Sequence, residues 1–199
     1  MIALVDVNNF YVSCERLFNP RLNHKPVVVL SNNDGCIISR SNEAKSLGIK
    51  MGEPLFKAAS IIKKHNVKVL SSNYPLYADI SHRVMQLLST FTDQQEIYSI
   101  DESFLSMKGQ NHLLEKGSLI RKSLYQWLGM PVCVGIGPTK VLAKFSNHCA
   151  KKQSLWKGVF VSSSLSNQEL NKVMSCVSVD EIWGIGRRLA EKLKAMGVR

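Results

Sequence analysis

Two adjacent acids interrupt the stretch YSIDESFLSM, residues 98–107, which otherwise has the composition of a β-strand. Tyr98, Ile100, Phe104 and Leu105 favour a pleated, half-buried surface. A regular strand points neighbouring side chains to opposite faces, so either Asp101 or Glu102 would be driven toward the core. An unpaired carboxylate there is costly. Either the chain turns at this point, or positive charge waits for both acids.

A third acid joins them from far away in the chain. Residues 2–7 form a short apolar run that reads as a buried strand and carries Asp6 at its end. If the chain turns at Asp101, both segments can bring carboxylate oxygens to one edge of a sheet. Mg²⁺, a hard cation that prefers oxygen ligands, suits such a set together with substrate phosphates. Two such ions about 3.5–4 Å apart would serve phosphoryl transfer. From these residues alone a plainer reading is preferred, until the context is added: Asp6 caps the following helix, and Asp101–Glu102 is a solvated hairpin turn.

The remaining pattern alternates irregularly. Helical spacing runs from Phe10 to Phe18, and KPVVVL and CIIS flank the turn signal SNNDG as a hairpin. NEAKSLG reads as a short helix stopped by Gly48. Another helix follows Pro54, VKVL is a strand, and a long helix runs from Pro75 to Leu88. After the acidic segment come a helix over 112–128, the strand PVCVGIG, a helix opened by Pro138, and a short strand GVFV. SNQE at 166–169 has capping-box spacing. With two hairpins and no repeat, the chain reads as mixed α+β rather than doubly wound.

Composition narrows the partners. The 26 Lys and Arg residues outnumber 15 Asp and Glu, for a formal charge of +11. Such a balance points to an anionic partner, nucleic acid first. Five scattered cysteines without C-x-x-C pairing read as free thiols in a reducing compartment. The N-terminus lacks a basic n-region, and no apolar stretch approaches the ~18 residues of a membrane span; a cytoplasmic protein is expected. Lys140, Lys144 and Lys151 share one helical stripe, and Arg40 and Lys45 flank a small helix behind Ser39 and Ser41. Lysines on one helix face are either solvated or, beside a carboxylate site, phosphate-binding. The five histidines form no recognisable spacing.

Taken in order, ALVDVNNFYVSCE, VVVLSNNDGCIISRSNEAKSLGIKMGEP, SSNYPLYADIS, EIYSIDESF, VGIGPTKVLAKFSNHCAKK and DEIWGIGRRLAEKL resemble the Y-family translesion DNA polymerases, most closely their UmuC-like branch, across essentially the whole chain. The resemblance implies an α+β fold. Its main part would be a polymerase palm, a ferredoxin-like mixed sheet with helices on one face, with a small fingers subdomain. Palm and fingers would cover 1–170, the fingers about 20–75, and 171–199 would begin a helix-hairpin-helix thumb. A little finger and the segment that carries sliding-clamp contact in relatives are not expected within these residues.

The same resemblance implies roles. Asp6, Asp101 and Glu102 would be the catalytic acids and, with the Val7 carbonyl, would hold two Mg²⁺ ions. Tyr11 matches the steric-gate position that rejects a ribose 2′-hydroxyl by added repulsion, and Phe10 would pack beside it. Ser39, Lys45 and Lys151 match positions touching the triphosphate, with Lys45 standing where many members carry the bidentate fork of Arg. Gly184 and Gly186 would bring backbone N–H groups to a DNA phosphate, with Arg187 and Arg188 adding charge. The implied activity is DNA synthesis past damaged bases in the SOS response, on primer–template DNA and deoxynucleoside triphosphates. A UmuD′-type dimer and a RecA filament are the implied protein partners. The competing reading is a non-catalytic DNA- or partner-binding fragment that modulates an SOS polymerase complex; intact acids favour the enzyme, because a pure binder needs no metal site.

Overall fold

The computed structural model describes residues 1–198; Arg199, the last residue of the expected thumb, lies outside them. In chain order the first elements are β1 (Ile2–Val7), α1 (Phe10–Phe18), β2 (Val27–Leu30), β3 (Ile37–Arg40) and α2 (Asn42–Ser46). They are followed by α3 (Leu55–Lys64), β4 (Lys68–Leu70), α4 (Tyr74–Ser89), β5 (Gln95–Ile97) and β6 (Glu102–Ser106). The last are α5 (Leu113–Leu128), β7 (Val132–Gly137), α6 (Lys140–Lys152), β8 (Val159–Val161), α7 (Asn167–Ser175) and α8 (Arg187–Ala195). Among the described residues, no helix is long and apolar enough to cross a membrane.

The chain forms two compact units. The first comprises Met1–Asp6, Leu87–Ser123 and Val132–Arg199, and the second Val7–Gln86 and Leu124–Pro131. In the first, a five-stranded sheet has the order β5-β6-β1-β7-β8. Its first four strands follow the ferredoxin-like order, with β1 antiparallel to β6 and β6 to β5, while β8 adds in parallel to β7. All six residues of β7 are buried, the reading of a strand covered on both faces. Gly135 faces α6, and Val134 faces Gly117 of α5. Apolar residues of β7, β8, α6 and α7, among them Cys133, Phe145, Cys149 and Phe160, form one core. Leu4, Phe104 and Ala143 form a second.

Two caps were legible in advance. Ser166 and Glu169 make the reciprocal capping box at the start of α7. Gly48, at φ 87°, ends the α2 segment in the left-handed conformation that a residue with a Cβ resists. The helix expected to open at Pro138 opens two residues later, at Lys140: the Thr139 hydroxyl accepts from the Leu142 amide at 3.2 Å and is the actual cap. Ser and Thr win this place because their oxygens satisfy an orphan amide, which a proline ring cannot do.

The second unit holds the sheet β3-β2-β4, with β2 antiparallel to β3 and parallel to β4. Its core is Val28, Leu30, Ile37, Ala44, Ile49, Ala58 and Val67.

Candidate active site

The opening question is settled by a turn at Asp101 and by an ammonium group on Glu102. β5 and β6 form a hairpin whose tip contains Asp101, and Glu102 is the first residue of β6. The amides of Tyr98 and Ser99 donate to the Glu102 carbonyl at 3.0 and 3.1 Å, closing the tip. Ser99 organises it further. Its hydroxyl donates to Asp101 Oδ1 at 2.8 Å and accepts from the amides of Asp101 and Glu102.

β1 pairs with β6 so that Asp6 lies directly opposite Glu102. Like charges in that position across a ladder repel. Two lysines of α6 answer them. Lys151 Nζ is 2.5 Å from Asp6 Oδ2, and Lys144 Nζ lies 2.9 and 3.0 Å from the two oxygens of Glu102. Lys140, the third member of the stripe, pairs with Glu96 at 2.5 Å. The stripe is therefore real, but every lysine on it has a carboxylate partner. The alternative in which Asp6 caps the next helix is not realised: the residue at the cap of α1 is Asn9.

Burial pushes the Asp6 carboxyl up to about 7 against the pull of Lys151, and Glu102 and Asp101 add to the rise. Asp101 is raised too, by burial first and then by Glu102, with Ser99 opposing. In metal-free solution the folded chain then holds a proton on Asp6 up to about pH 7, whereas the unfolded chain releases it near its ordinary 3.8. Between those values the folded state binds more protons, so this contribution to stability is full below the lower value and is lost as pH rises through the upper one. Asp6→Asn removes the titration. Thermal melts from about pH 4 to about pH 8 should show the wild type losing ground to the variant by a few kcal/mol as pH rises. A gap between the two that does not change with pH would refute this.

The three carboxyls fit a divalent cation by the chemistry of their donors. Their oxygens are hard ligands, they repel one another, and two ammonium groups already stand in as cations on Asp6 and Glu102. With the lysines so placed, no three His, Cys, Asp or Glu side chains among the described residues are gathered closely enough to hold an ion. Asp6 and Glu102 line a cleft of about 370 Å³ with Lys144, Asn147, His148 and Lys151. His148, to which the sequence assigned no role, sits 3.6 Å from Glu181 in that cleft, and burial lowers its pKa.

Val7 closes β1 with its side chain buried. In the second unit, Phe10, Tyr11, Ser39 and Lys45 gather around the first turn of α1. The Val12 amide donates to the buried Ser39 hydroxyl at 3.4 Å. Lys45 Nζ donates to Asn9 Oδ1 at 2.5 Å, and Asn9 is held in a left-handed conformation (φ 50°) that asparagine tolerates better than most residues. Tyr11 packs 5.6 Å from Phe10 and stacks on Tyr77, ring centroids 4.4 Å apart and 21° from parallel. Tyr77 is fully buried, and its hydroxyl donates to Glu15 at 2.7 Å. This support was visible only as YPLYADIS, in which no single residue announces a role.

Gly184 has φ 91° and Gly186 caps α8. Adding a Cβ to either would meet nothing within 4 Å, so their backbones are open to an approaching group. Arg187 and Arg188 are exposed, Arg187 pairing with Glu191 at 3.0 Å.

A family model described as the impB/mucB/samB family matches residues 5–148, and a second, the IMS family HHH motif, matches 167–198. The chain belongs to the impB/mucB/samB family. Protein UmuC of Salmonella typhimurium strain LT2 is 46% identical over 203 residues, an alignment covering 100% of this chain and 48% of the relative. Protein ImpB of Salmonella typhimurium is 43% identical over 201 residues, covering 100% of this chain and 47% of the relative. The chain thus spans about half the length of the curated relatives it matches. Among solved structures, the insertion ternary complex of Dbh DNA polymerase superposes with a TM-score of 0.84 at 30% identity, covering 100% of this chain and 58% of that one. The fold is that of Y-family palm and fingers, with a helix-hairpin-helix at the C-terminal end.

Proposed function

We propose that this chain carries the nucleotidyl-transfer centre of a translesion DNA polymerase acting in the cytoplasm during the SOS response. The observation that carries the reading is the cross-strand pair Asp6–Glu102, with Asp101 at the adjacent hairpin tip and Lys144 and Lys151 above. Membership of the impB/mucB/samB family supports it. Asp6, Asp101, Glu102 and the Val7 carbonyl would hold two Mg²⁺ ions. Such ions activate the attacking oxygen and stabilise the leaving one in phosphoryl transfer.

The other roles follow from the chemistry of each side chain. Lys151 is more exposed than its partner Asp6 (side chains 36% against 12%), so it can exchange that carboxylate for a triphosphate at little desolvation cost. Lys45 and Ser39 would meet phosphate oxygens from the α1–α2 side. Phe10 would back the gate. Gly184 and Gly186, with Arg187 and Arg188, would grip DNA phosphates without reading sequence. Primer–template DNA and deoxynucleoside triphosphates are the proposed substrates, with a UmuD′-type dimer and a RecA filament as proposed partners.

Primer extension with Mg²⁺ on a template bearing an abasic site tests the reading. Insertion opposite the lesion is expected; a folded chain that binds the DNA yet inserts nothing on damaged or intact template would overturn it. Sugar choice tests the gate. Stacked on Tyr77, the Tyr11 ring is held in place rather than free to yield, so a 2′-hydroxyl beside it meets repulsion. Tyr11→Ala should raise ribonucleotide relative to deoxyribonucleotide insertion at least about tenfold, equivalent to removing ~1.4 kcal/mol. An active variant with an unchanged ratio would take Tyr11 out of the role.

A further inference from the structure

The two lysines facing the acids are held differently. Lys151 has a half-open side chain. Lys144, 15% exposed, sits in a box of aromatic rings. Its Nζ is 4.6 Å from the centre of the Tyr98 ring and 5.4 Å from that of Trp183. The two rings meet edge to face, 5.7 Å apart at 88°, and Phe104 packs against both, at 5.6 and 6.2 Å. A cation over two ring faces is attracted by both quadrupoles, more strongly when water is excluded. The same ammonium chelates both oxygens of Glu102.

We propose that Tyr98 and Trp183 form an aromatic cage that keeps the Lys144 ammonium on Glu102, making Lys144 the resident cation that a divalent metal must displace. The cage thereby sets the affinity of the acidic site for metal. Trp183 is a positioning residue here, acting through Lys144. This rests on the proposed metal site and adds a determinant of its occupancy. Ions compete for one carboxylate, so whatever stabilises the ammonium on Glu102 weakens the metal by the same factor. The placement of Trp183 directly before Gly184, at the start of the hairpin turn, ties the cage to the segment proposed to meet DNA.

The test titrates Mn²⁺ alone into the full chain without DNA or nucleotide and counts free Mn²⁺ by its paramagnetic resonance signal. Trp183→Ala should lower the Mn²⁺ concentration at half-saturation about two- to fivefold, the range expected for losing one cation–π contact to a partly exposed ring. Trp183→Phe, which keeps a ring, should shift it less. Tyr98→Leu opens the cage from the other side and should act like Trp183→Ala, which covers the case in which one variant fails to fold. Lys144→Gln should tighten binding at least as much, and Trp183→Ala added to it should then change nothing further, because residues acting through one group are not additive. Midpoints that stay put or rise in both cage variants, or a Trp183→Ala effect that persists beside Lys144→Gln, would overturn the cage and leave the polymerase reading standing. A wild type that takes up no Mn²⁺ would overturn the metal site and the cage together.

Discussion

Replacing Asp101 with Asn is expected to reduce nucleotide insertion roughly a thousandfold while leaving the melting temperature unchanged or raised. The two halves of this expectation have one cause. Asp101 sits at a hairpin tip with its carboxyl raised by burial and by Glu102, so its charge is a burden to the folded chain. Asn keeps the shape and the oxygen that accepts from Ser99, and it removes the repulsion. On the proposed reading, what is lost is a hard anionic donor to the metal beside Asp6 and Glu102. Metal-based charge stabilisation contributes several kcal/mol in phosphoryl transfer, and ~4 kcal/mol corresponds to about a thousandfold in rate. Single-turnover insertion with saturating Mg²⁺, alongside a thermal melt, measures both. An Asp101→Asn chain that inserts within tenfold of the wild type, or that unfolds, would return Asp101 to a structural role.

How much of this was legible in the sequence depends on the range over which each signal acts. Two neighbouring acids in a strand-like run left a turn at Asp101 and a waiting positive charge both open; the hairpin tip realises the first, and Lys144 on Glu102 part of the second. The capping box at Ser166 and the left-handed stop at Gly48 are equally local. The lysine stripe was legible as a face but not in its partners. Helical spacing puts Lys140, Lys144 and Lys151 on one side, while Glu96, Glu102 and Asp6 reach them only through the sheet order. Trp183 escaped notice because WGIG reads as a glycine turn, and nothing in those four letters places its ring on Lys144. The division into two units is the least legible feature. The segment 124–131 belongs with residues 7–86 although it lies far from them in sequence, and long-range packing of that kind leaves no local trace.

The same geometry makes Gly135 the glycine on which the site most depends, and Gly135→Ala is expected to cost upwards of ~4 kcal/mol or to prevent folding. A Cβ built there would lie 2.0 Å from the Asn147 amide nitrogen and 2.4 Å from the Ala143 carbonyl oxygen, both backbone atoms of α6. No rotamer change relieves a clash with backbone, so α6 would have to withdraw from β7 until contacts return to the ordinary range above 3.4 Å. That withdrawal would break the buried Asn147 side chain's bonds to the carbonyls of Cys133 at 2.9 Å and Leu4 at 3.3 Å. It would also lift Lys144 and Lys151 from Glu102 and Asp6, leaving their buried charges less well compensated. Gly186→Ala is the control: a Cβ there meets nothing within 4 Å and φ is −77°, so only the poorer helix cap of Ala is felt and the loss should stay at about 1 kcal/mol. Denaturant melts of the two variants decide the matter. If Gly135→Ala melts like the wild type, α6 is not seated on β7 through that glycine, and the close approach that puts the lysines over the acids must come from elsewhere.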